Sequence, residues 1–416
     1  HDSSYKSEMT PRYDAKDVAR YMCKDSNIPL VLGSATPDID TYFRAKNEEI
    51  MILKLSKRAN SSILPEIETV DLREELAKGN KSMISTRLYE EIEKNLQSKK
   101  QTILYLNRRG FSTFVMCRNC GYTVKCKNCN INLTYHSNKN ILKCHYCGYE
   151  EKLVTTCPEC GSSQIRYFGT GTQKLEFEIK RLFPNSSTIR MDIDTVSKKK
   201  SHEQIIEKFK NENIDILIGT QMVVKGHHFP NVTLVGVIAA DGSLNIDDFR
   251  ANEKTFQILT QVAGRAGRGK DKGRVIVQTY NPDNFSIECA KKQDYELFYN
   301  TEIALRKQLK YPPFCDIILI GFTSNNENEV RKFAEKLHLY LKNRVIKENI
   351  GIILYKAVPS PIDKIKNKYR WRILIKCKLS DDIINLMNET LEEFYSYKAK
   401  NTRITIDVNP SNMMSL

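Results

Sequence analysis

Nowhere in the 416 residues does an apolar run approach the roughly 18 to 20 residues that a membrane helix needs. His1-Asp2-Ser3-Ser4 has none of the marks of a signal peptide either. These absences set aside membrane and secreted proteins and leave the cytoplasm as the expected compartment, with no membrane partner. Low-complexity tracts are missing too, and apart from four cysteine pairs nothing repeats, which excludes a repeat array. Acidic residues are in short supply: 50 Asp and Glu face 65 Lys and Arg, a formal charge of +15. That excess favours a polyanionic partner such as nucleic acid, with a basic surface kept for solubility as the alternative. The chain is too long for one ordinary core, so about two to four domains are expected.

A phosphate loop is also wanting. Gly264-Arg265-Ala266-Gly267-Arg268-Gly269-Lys270 fits the opening of G-x-x-x-x-G-K-[ST], but Asp271 stands where a Ser or Thr must hold Mg²⁺. The string also follows a helix-like run and not a strand.

Cysteine is abundant. Eight of the 12 cysteines form four C-x-x-C pairs between Cys117 and Cys160. In a large basic chain that arrangement points to metal in a reducing compartment and not to disulfides. Zinc takes four thiolates tetrahedrally, and a two-residue gap lets both sulfurs of a pair reach one ion. Eight thiolates therefore make two closed, structural Zn²⁺ sites with no open position for chemistry. The pairs can combine in three ways. Cys126/Cys129 with Cys144/Cys147 has a hairpin-sized gap, and nesting then leaves Cys117/Cys120 with Cys157/Cys160. His136 and His145 are read as surface residues, because the thiolates already satisfy two ions. Structural zinc is worth roughly 10 to 16 kcal/mol of apparent binding in small modules, so the insert is expected to unfold without metal.

From residue 14 to about 285, short apolar strand candidates alternate with amphipathic helix candidates, the pattern of an α/β fold with a parallel sheet. The clearest strands are 30–32, 103–106, 214–218, 232–238 and 275–278. The stretch 57–81 reads as a linker between two such layers. After Tyr311-Pro312-Pro313-Phe314, the succession β-α-β-β-α-β over 317–408 predicts a separate ferredoxin-like α+β domain. The expected division is 1–56 as the remainder of a first lobe, 57–116 and 161–285 as the two parts of a second lobe, 117–160 as its zinc insertion, 286–310 as a helical connector, and 311–416 as the C-terminal domain.

Gln261-Val262-Ala263-Gly264-Arg265-Ala266-Gly267-Arg268-Gly269 resembles motif VI of superfamily 2 helicases, in which the Gln and both Arg face a triphosphate across a cleft. Cations are needed there to neutralise charge on the transferring phosphoryl group. Arg268 is the candidate arginine finger, Arg265 a phosphate clamp and Gln261 their companion; a basic helix on a solvated face is the alternative. Ser34-Ala35-Thr36 resembles the motif that couples nucleotide state to the nucleic-acid track, or else is a strand end with a helix cap.

Together these strings make the chain similar, over nearly its whole length, to the bacterial primosomal protein N′ family of replication-restart helicases. His1-Asp2-Ser3-Ser4-Tyr5-Lys6 resembles the tail of that family's Asp-Glu-Glu-His box and its aromatic-rich loop. Asn107-Arg108-Arg109-Gly110-Phe111 leads into the cysteine insert as it does there, and Gly219-Thr220-Gln221-Met222 with Lys225-Gly226-His227 resembles motif V. Tyr369-Arg370-Trp371 and Asp407-Val408-Asn409-Pro410 match near the end. The resemblance implies RecA-like helicase lobes (the end of lobe 1 and a complete lobe 2), the nested zinc pairing, and ATP with Mg²⁺ in the full-length protein. It further implies 3′→5′ unwinding of DNA at stalled forks, and single-stranded DNA-binding protein and helicase-loading primosome proteins as partners. A monomer associated with the nucleoid is expected.

On that reading Lys225, Gly226, Gly264, Arg265 and Arg268 face the nucleotide, while Tyr5, Lys6, Tyr13, Arg108, Arg109 and Thr220 contact DNA. Aromatics mixed with bases suit single strands. Lys364, Lys366, Lys368, Arg370 and Arg372 alternate along a loop and strand, placing bases on one face for a duplex or fork, or on a solvated strand face instead. His228 and Ala239 stand where the family usually has Asp, and Asp247 where it usually has Pro. A first residue other than Met suggests that the chain starts inside a longer protein, and without a phosphate loop this portion alone is expected to hydrolyse ATP negligibly. The competing readings are a non-catalytic DNA-binding or interaction protein derived from a helicase, and a different superfamily 2 motor acting on RNA.

Overall fold

A computed structural model describes residues 2–55, 65–106, 114–136, 140–168, 171–191, 199–220, 229–266, 271–396 and 402–414. The N-terminal segment carries α1 (Ala15–Asp25) and α2 (Ile39–Lys46), each started by an aspartate whose carboxylate accepts from a first-turn amide: Asp14 from Lys16 and Asp38 from Thr41. The expected strand at 30–32 does not form. Leu30, Val31 and Leu32 are 37, 81 and 44% exposed. A lone apolar segment becomes a strand only beside another, and no described strand pairs with it.

The larger unit is one six-stranded, all-parallel sheet. Along the chain come β1 (Glu66–Asp71), α3 (Leu72–Ala77), α4 (Thr86–Gln97) and β2 (Gln101–Tyr105). The cysteine-rich insert follows, with β3 (Phe114–Cys117), β4 (Thr134–His136), β5 (Ile141–Lys143), β6 (Glu150–Lys152) and β7 (Ile165–Phe168). The lobe resumes with α5 (Thr172–Leu182), β8 (Thr188–Met191), α6 (Lys199–Asn211), β9 (Ile216–Gly219), β10 (Val232–Val237), α7 (Asp241–Leu244), α8 (Ala251–Ala263), β11 (Arg274–Thr279), α9 (Phe285–Lys292) and α10 (Tyr295–Leu309). The strands pair in the order β1-β11-β10-β2-β9-β8.

These strands are apolar on both sides because helices cover both faces. Ile103, Leu217, Val235 and Val277 join a core with α8, α9 and α10, whereas Leu104, Ile218, Leu234 and Ile276 meet Leu88 and Ile92 of α4 and Leu175 of α5. The linker reading of 57–81 fails from Glu66 onward. Residues 66–71 pair with 274–279 at every position as the edge strand β1. Its polar look has a physical source: Glu66 and Glu68 are neutralised by Lys272 and Arg87.

The last part follows the predicted succession: β12 (Asp316–Ser324), α11 (Glu327–Lys347), β13 (Ile353–Leu354), β14 (Val358–Ile365), β15 (Lys368–Cys377), α12 (Asp381–Ser396) and β16 (Arg403–Val408). The antiparallel order β13-β15-β12-β16 is the ferredoxin-like one, with β14 added as a hairpin arm beside β15. Lys366 and Asn367 turn the hairpin with φ of 48° and 61°. Along β12, Ile318, Ile320 and Phe322 pack under α11 and α12, while Ile317 and Leu319 point the other way. That second face is closed by the cysteine module, whose Cys126, Cys144 and Tyr146 share a core with Leu374 and Met413. The fold is thus an α/β helicase-type lobe carrying a cysteine-rich module and a separate C-terminal α+β domain.

Candidate metal centres and motor site

The four C-x-x-C pairs adopt one knuckle, repeated. In each, the amide four residues after the first cysteine returns to that cysteine's carbonyl, at 2.8 to 2.9 Å from Gly121, Asn130, Gly148 and Gly161. The first cysteine's own amide reaches the next carbonyl along, that of Tyr122, Ile131, Tyr149 or Ser162. The return requires φ of 79°, 52°, 70° and 69° at those positions, which is why Gly or Asn occupies every one.

The knuckles assemble as two nested clusters, Cys117/Cys120/Cys157/Cys160 and Cys126/Cys129/Cys144/Cys147, with all four sulfurs of each within 4.8 Å of one another. A second-knuckle thiolate in each also receives an asparagine amide at 3.6 Å, Asn119 Nδ2 to Cys160 and Asn128 Nδ2 to Cys147. Without a cation, burial and the neighbouring sulfurs push the Cys120 thiol up to about 12. A tetrahedral dication reverses that, and four soft sulfurs with no oxygen donor suit zinc. Such a Zn²⁺ would hold each pair of knuckles together and supply no chemistry.

The outer cluster ends the β3–β7 ribbon. There a Cβ on Gly121 would lie 2.3 Å from the carbonyl oxygen of Tyr280, so the knuckle backbone rests directly on the loop after β11. The inner cluster is joined by the β4–β5–β6 sheet, and a Cβ on Gly148 would meet Lys356 and Val358 of the C-terminal domain at 2.4 and 2.6 Å.

Two sequence expectations are overturned at this contact. His145 is not a surface residue: its ring is fully buried, with Nδ1 3.2 Å from the Pro359 carbonyl and Nε2 3.0 Å from His136 Nε2. Burial drives its pKa well below the ordinary range, so the ring is neutral. Donation to Pro359 places the proton on Nδ1 and leaves Nε2 to accept from His136. Arg372 is not on a solvated basic face either. It is 0% exposed, and its guanidinium donates to the His145 carbonyl at 3.0 and 2.7 Å and to the Met413 carbonyl. Alternation told which face it shares, but that face is the one the cysteine module covers.

In the motor lobe, Gln261 lies in the last turn of α8, Gly264 caps the helix and Arg265 follows, half-buried. Thr220 is buried just past the carboxyl end of β9, at the strand ends where open parallel sheets bind ligands. Ser34 and Thr36 form a local turn, Ser34 Oγ accepting from the Thr36 amide at 3.0 Å, and Ala35 stands between them. The next residues are pinned to the lobe: Tyr295 Oη donates to the Pro37 carbonyl at 2.9 Å and the Ile39 amide to Glu253 of α8 at 3.1 Å. Arg108, Arg109, Lys225, Gly226 and Arg268 lie outside the described residues.

Near the start, Tyr5 and Tyr13 are 52 and 50% exposed. Lys6 is turned inward, in an ion pair with Asp407 at 3.2 Å that Arg12 completes at 3.1 Å. Buried Asp407 needs a counter-charge, so Lys6 is drawn away from solvent and does not stand as a DNA contact.

Several contributors were not foreseen. Phe249 stacks on Tyr311 with ring centres 4.7 Å apart and planes 2° from parallel. Buried Arg306 joins Glu302 on its own helix at 2.9 Å and Glu253 on α8 at 2.5 Å. Asp248 is buried; desolvation raises its pKa, but Lys254 and Arg250 outweigh that and hold the carboxyl down at about 2. The Glu302/Arg306 spacing of four is the one signal in the sequence that could have been followed, as an ion pair on one helix face.

Three family models match: the primosomal protein N C-terminal domain over residues 307–411, the PriA DNA helicase Cys-rich region over 126–152 and the helicase conserved C-terminal domain over 151–270. The chain is 46% identical to replication restart protein PriA of Bacillus subtilis over 100% of its own length and 51% of that protein. It is 40% identical to the PriA of Synechocystis, covering 90% of this chain and 46% of that one. For the PriA of Treponema pallidum the figures are 37% identity, 100% and 61%. The chain thus spans about half the length of the curated relatives it matches. Among solved structures, S. cerevisiae Dbp5 bound to RNA and ADP BeF3 aligns at 14% identity and TM-score 0.33 over 71% of this chain and 58% of that one, too distant to bear on function.

Proposed function

The chain belongs to the PriA family of replication restart proteins, as a C-terminal portion, and from that premise we propose that it supplies the second motor lobe, zinc module and C-terminal domain of an ATP-dependent 3′→5′ DNA helicase. In this reading the protein engages single-stranded DNA and branched forks, stalled or repaired, and begins primosome assembly with single-stranded DNA-binding protein and helicase loaders. It works as a monomer in the cytoplasm, associated with the nucleoid. The observation that carries the proposal is the position of Gln261, Gly264 and Arg265 at the end of α8, on a parallel α/β lobe that carries an inserted eight-cysteine module and is followed by a ferredoxin-like domain.

Lys225, Gly226, Gly264, Arg265 and Arg268 would face ATP and its Mg²⁺ from this lobe, with Arg268 as the finger. The phosphate loop that holds the β- and γ-phosphates has no counterpart among the 416 residues, so this portion by itself turns over ATP negligibly. Ser34-Ala35-Thr36 couples the lobes, a role supported by the fixing of Pro37 and Ile39 to α10 and α8. Tyr5, Tyr13, Arg108, Arg109 and Thr220 contact the track, joined by Lys364, Lys366 and Lys368 of the β14–β15 arm.

The test is ATP hydrolysis and forked-DNA unwinding by the longer protein in which a phosphate loop precedes His1. Arg268→Ala is expected to lower kcat by about 10³ to 10⁵-fold, and forked DNA is expected to be unwound in preference to an RNA duplex. Unimpaired unwinding by the variant would remove the finger assignment. A gene without an upstream G-x-x-x-x-G-K-[ST] would favour the non-catalytic DNA-binding reading.

A further inference from the structure

Between the inner cysteine cluster and the helix whose last turn carries Gln261 runs a continuous line of buried and half-buried contacts. Tyr311, 2% exposed, donates its hydroxyl to the backbone carbonyl of Cys129, an inner-cluster ligand, at 3.0 Å. Its ring lies flat on Phe249. The Phe249 amide donates to the hydroxyl of Tyr146 at 3.3 Å, and Tyr146 is itself an inner-knuckle residue, between Cys144 and Cys147. Phe249 is then flanked by two guanidinium groups, Arg250 at 4.2 Å and Arg306 at 5.2 Å from the ring centre. Arg306 passes the line to Glu253 and also donates to the Pro312 carbonyl at 3.2 Å.

Glu253 stands in the first turn of α8, and Gln257 and Gln261 follow at steps of four, along one side of the helix. Gln257 Nε2 donates to the same Glu253 carboxylate at 3.2 Å. A helix of this length is a stiff rod, and eight residues of rise carry a displacement about 12 Å. The outer cluster shares a hydrophobic core with the inner one but, among the described residues, reaches the motor lobe elsewhere. Its contacts run to Tyr280 through Gly121 and to Arg73, whose Nη1 lies 3.5 Å from the Cys120 carbonyl.

We infer that Tyr311 and Phe249 are positioning residues that tie the inner zinc cluster to α8, so that the state of that cluster sets the order and placement of the helix carrying Gln261, Gly264 and Arg265. The inference deepens the motor reading, since the role of α8 at the nucleotide rests on it, but the physical link can be tested without ATP.

Hydrogen–deuterium exchange of the zinc-loaded 416-residue chain, read on peptides covering 251–263, supplies that test. Cys147→Ser, which breaks the inner cluster, is expected to speed exchange in α8 at least fivefold, and Cys160→Ser in the outer cluster less than twofold. Tyr311→Phe keeps the stack and loses only the hydroxyl bond to Cys129. In that background the effect of Cys147→Ser on α8 should shrink to less than half. Should Tyr311→Phe fail to fold, Phe249→Leu, which removes the stack from the other side, reads the same link. Equal effects of Cys147→Ser and Cys160→Ser, or an undiminished effect in the relay variants, would overturn the inference. In the longer protein Tyr311→Phe should lower kcat for DNA-stimulated ATP hydrolysis several-fold with KM for ATP unchanged. Absence of any ATPase there would sink the motor reading and leave the exchange result standing.

Discussion

The outer cluster has one exposed ligand, Cys160, one half-buried, Cys120, and two buried; it ends a short ribbon and meets the loop at Tyr280 and the side chain of Arg73. The inner cluster has three buried ligands and is walled in by the C-terminal sheet, by Tyr311 and by the loop at Asp247 and Asp248. Their ligands and knuckle hydrogen bonds are the same. Burial and neighbours, not coordination chemistry, therefore distinguish a metal site that touches the motor lobe at Tyr280 and Arg73 from one on which the C-terminal domain leans as well.

The largest expected effect bears directly on that distinction. Structural zinc contributes roughly 10 to 16 kcal/mol of apparent binding free energy, so losing either ion unfolds its own knuckles. Cys144→Ser is expected to abolish the melting of the C-terminal domain as a separate calorimetric transition and to release one zinc per chain. Cys160→Ser also releases zinc but leaves that transition in place; identical calorimetric traces would erase the comparison.

Next is Arg372→Met, which leaves the carbonyls of His145 and Met413 without their donor in a fully buried setting. About 2 to 5 kcal/mol of destabilisation is expected in urea unfolding, and Arg372→Lys should recover less than half, because one ammonium cannot reproduce the fork. A smaller contrast compares two glycines. Gly148→Ala meets both a positive φ and the side chains of Lys356 and Val358, for about 2 to 4 kcal/mol, while Gly161→Ala meets the same φ in open space, for about 1 kcal/mol.

The last effect is electrostatic. Asp248 is held down at about 2 in the folded chain by Lys254 and Arg250 against the penalty of burial, below its value of about 3.9 when unfolded. A lowered carboxylate stabilises the fold above its unfolded pKa and ceases to do so as pH falls through the folded one. The stability gap between the wild type and Asp248→Asn, about 2 kcal/mol at pH 6, should close between about pH 4 and pH 2. A gap that persists at pH 2 would show the contribution to be hydrogen bonding alone.

What could be read from the sequence follows the range of the forces involved. The metal knuckles are local, so four C-x-x-C spacings announced them; which knuckles meet is a tertiary fact, and spacing left three pairings open. The parallel strands were legible because both faces are apolar, and β1 was not, because Glu66 and Glu68 find their cations only when Lys272 and Arg87 arrive from elsewhere. Arg372 and Lys6 look like surface bases for the same reason: the His145 carbonyl and the Asp407 carboxylate that draw them inward lie 227 and 401 residues away in the chain. The Ser34-Ala35-Thr36 string was visible, but the tyrosine and glutamate that anchor its flank come from α10 and α8.

The clasp of Met413 between Asp248 and Arg372 also has a bearing on synthesis. The cysteine module leaves the ribosome some 250 residues before Met413 does, an interval of roughly 13 to 50 seconds at ordinary elongation rates. Throughout that time the face that will receive β12 and β15 has nothing to rest on. Early capture of metal is then what keeps a nascent chain from offering an apolar surface to its neighbours, and zinc supply during translation should govern yield more than zinc added to the finished protein.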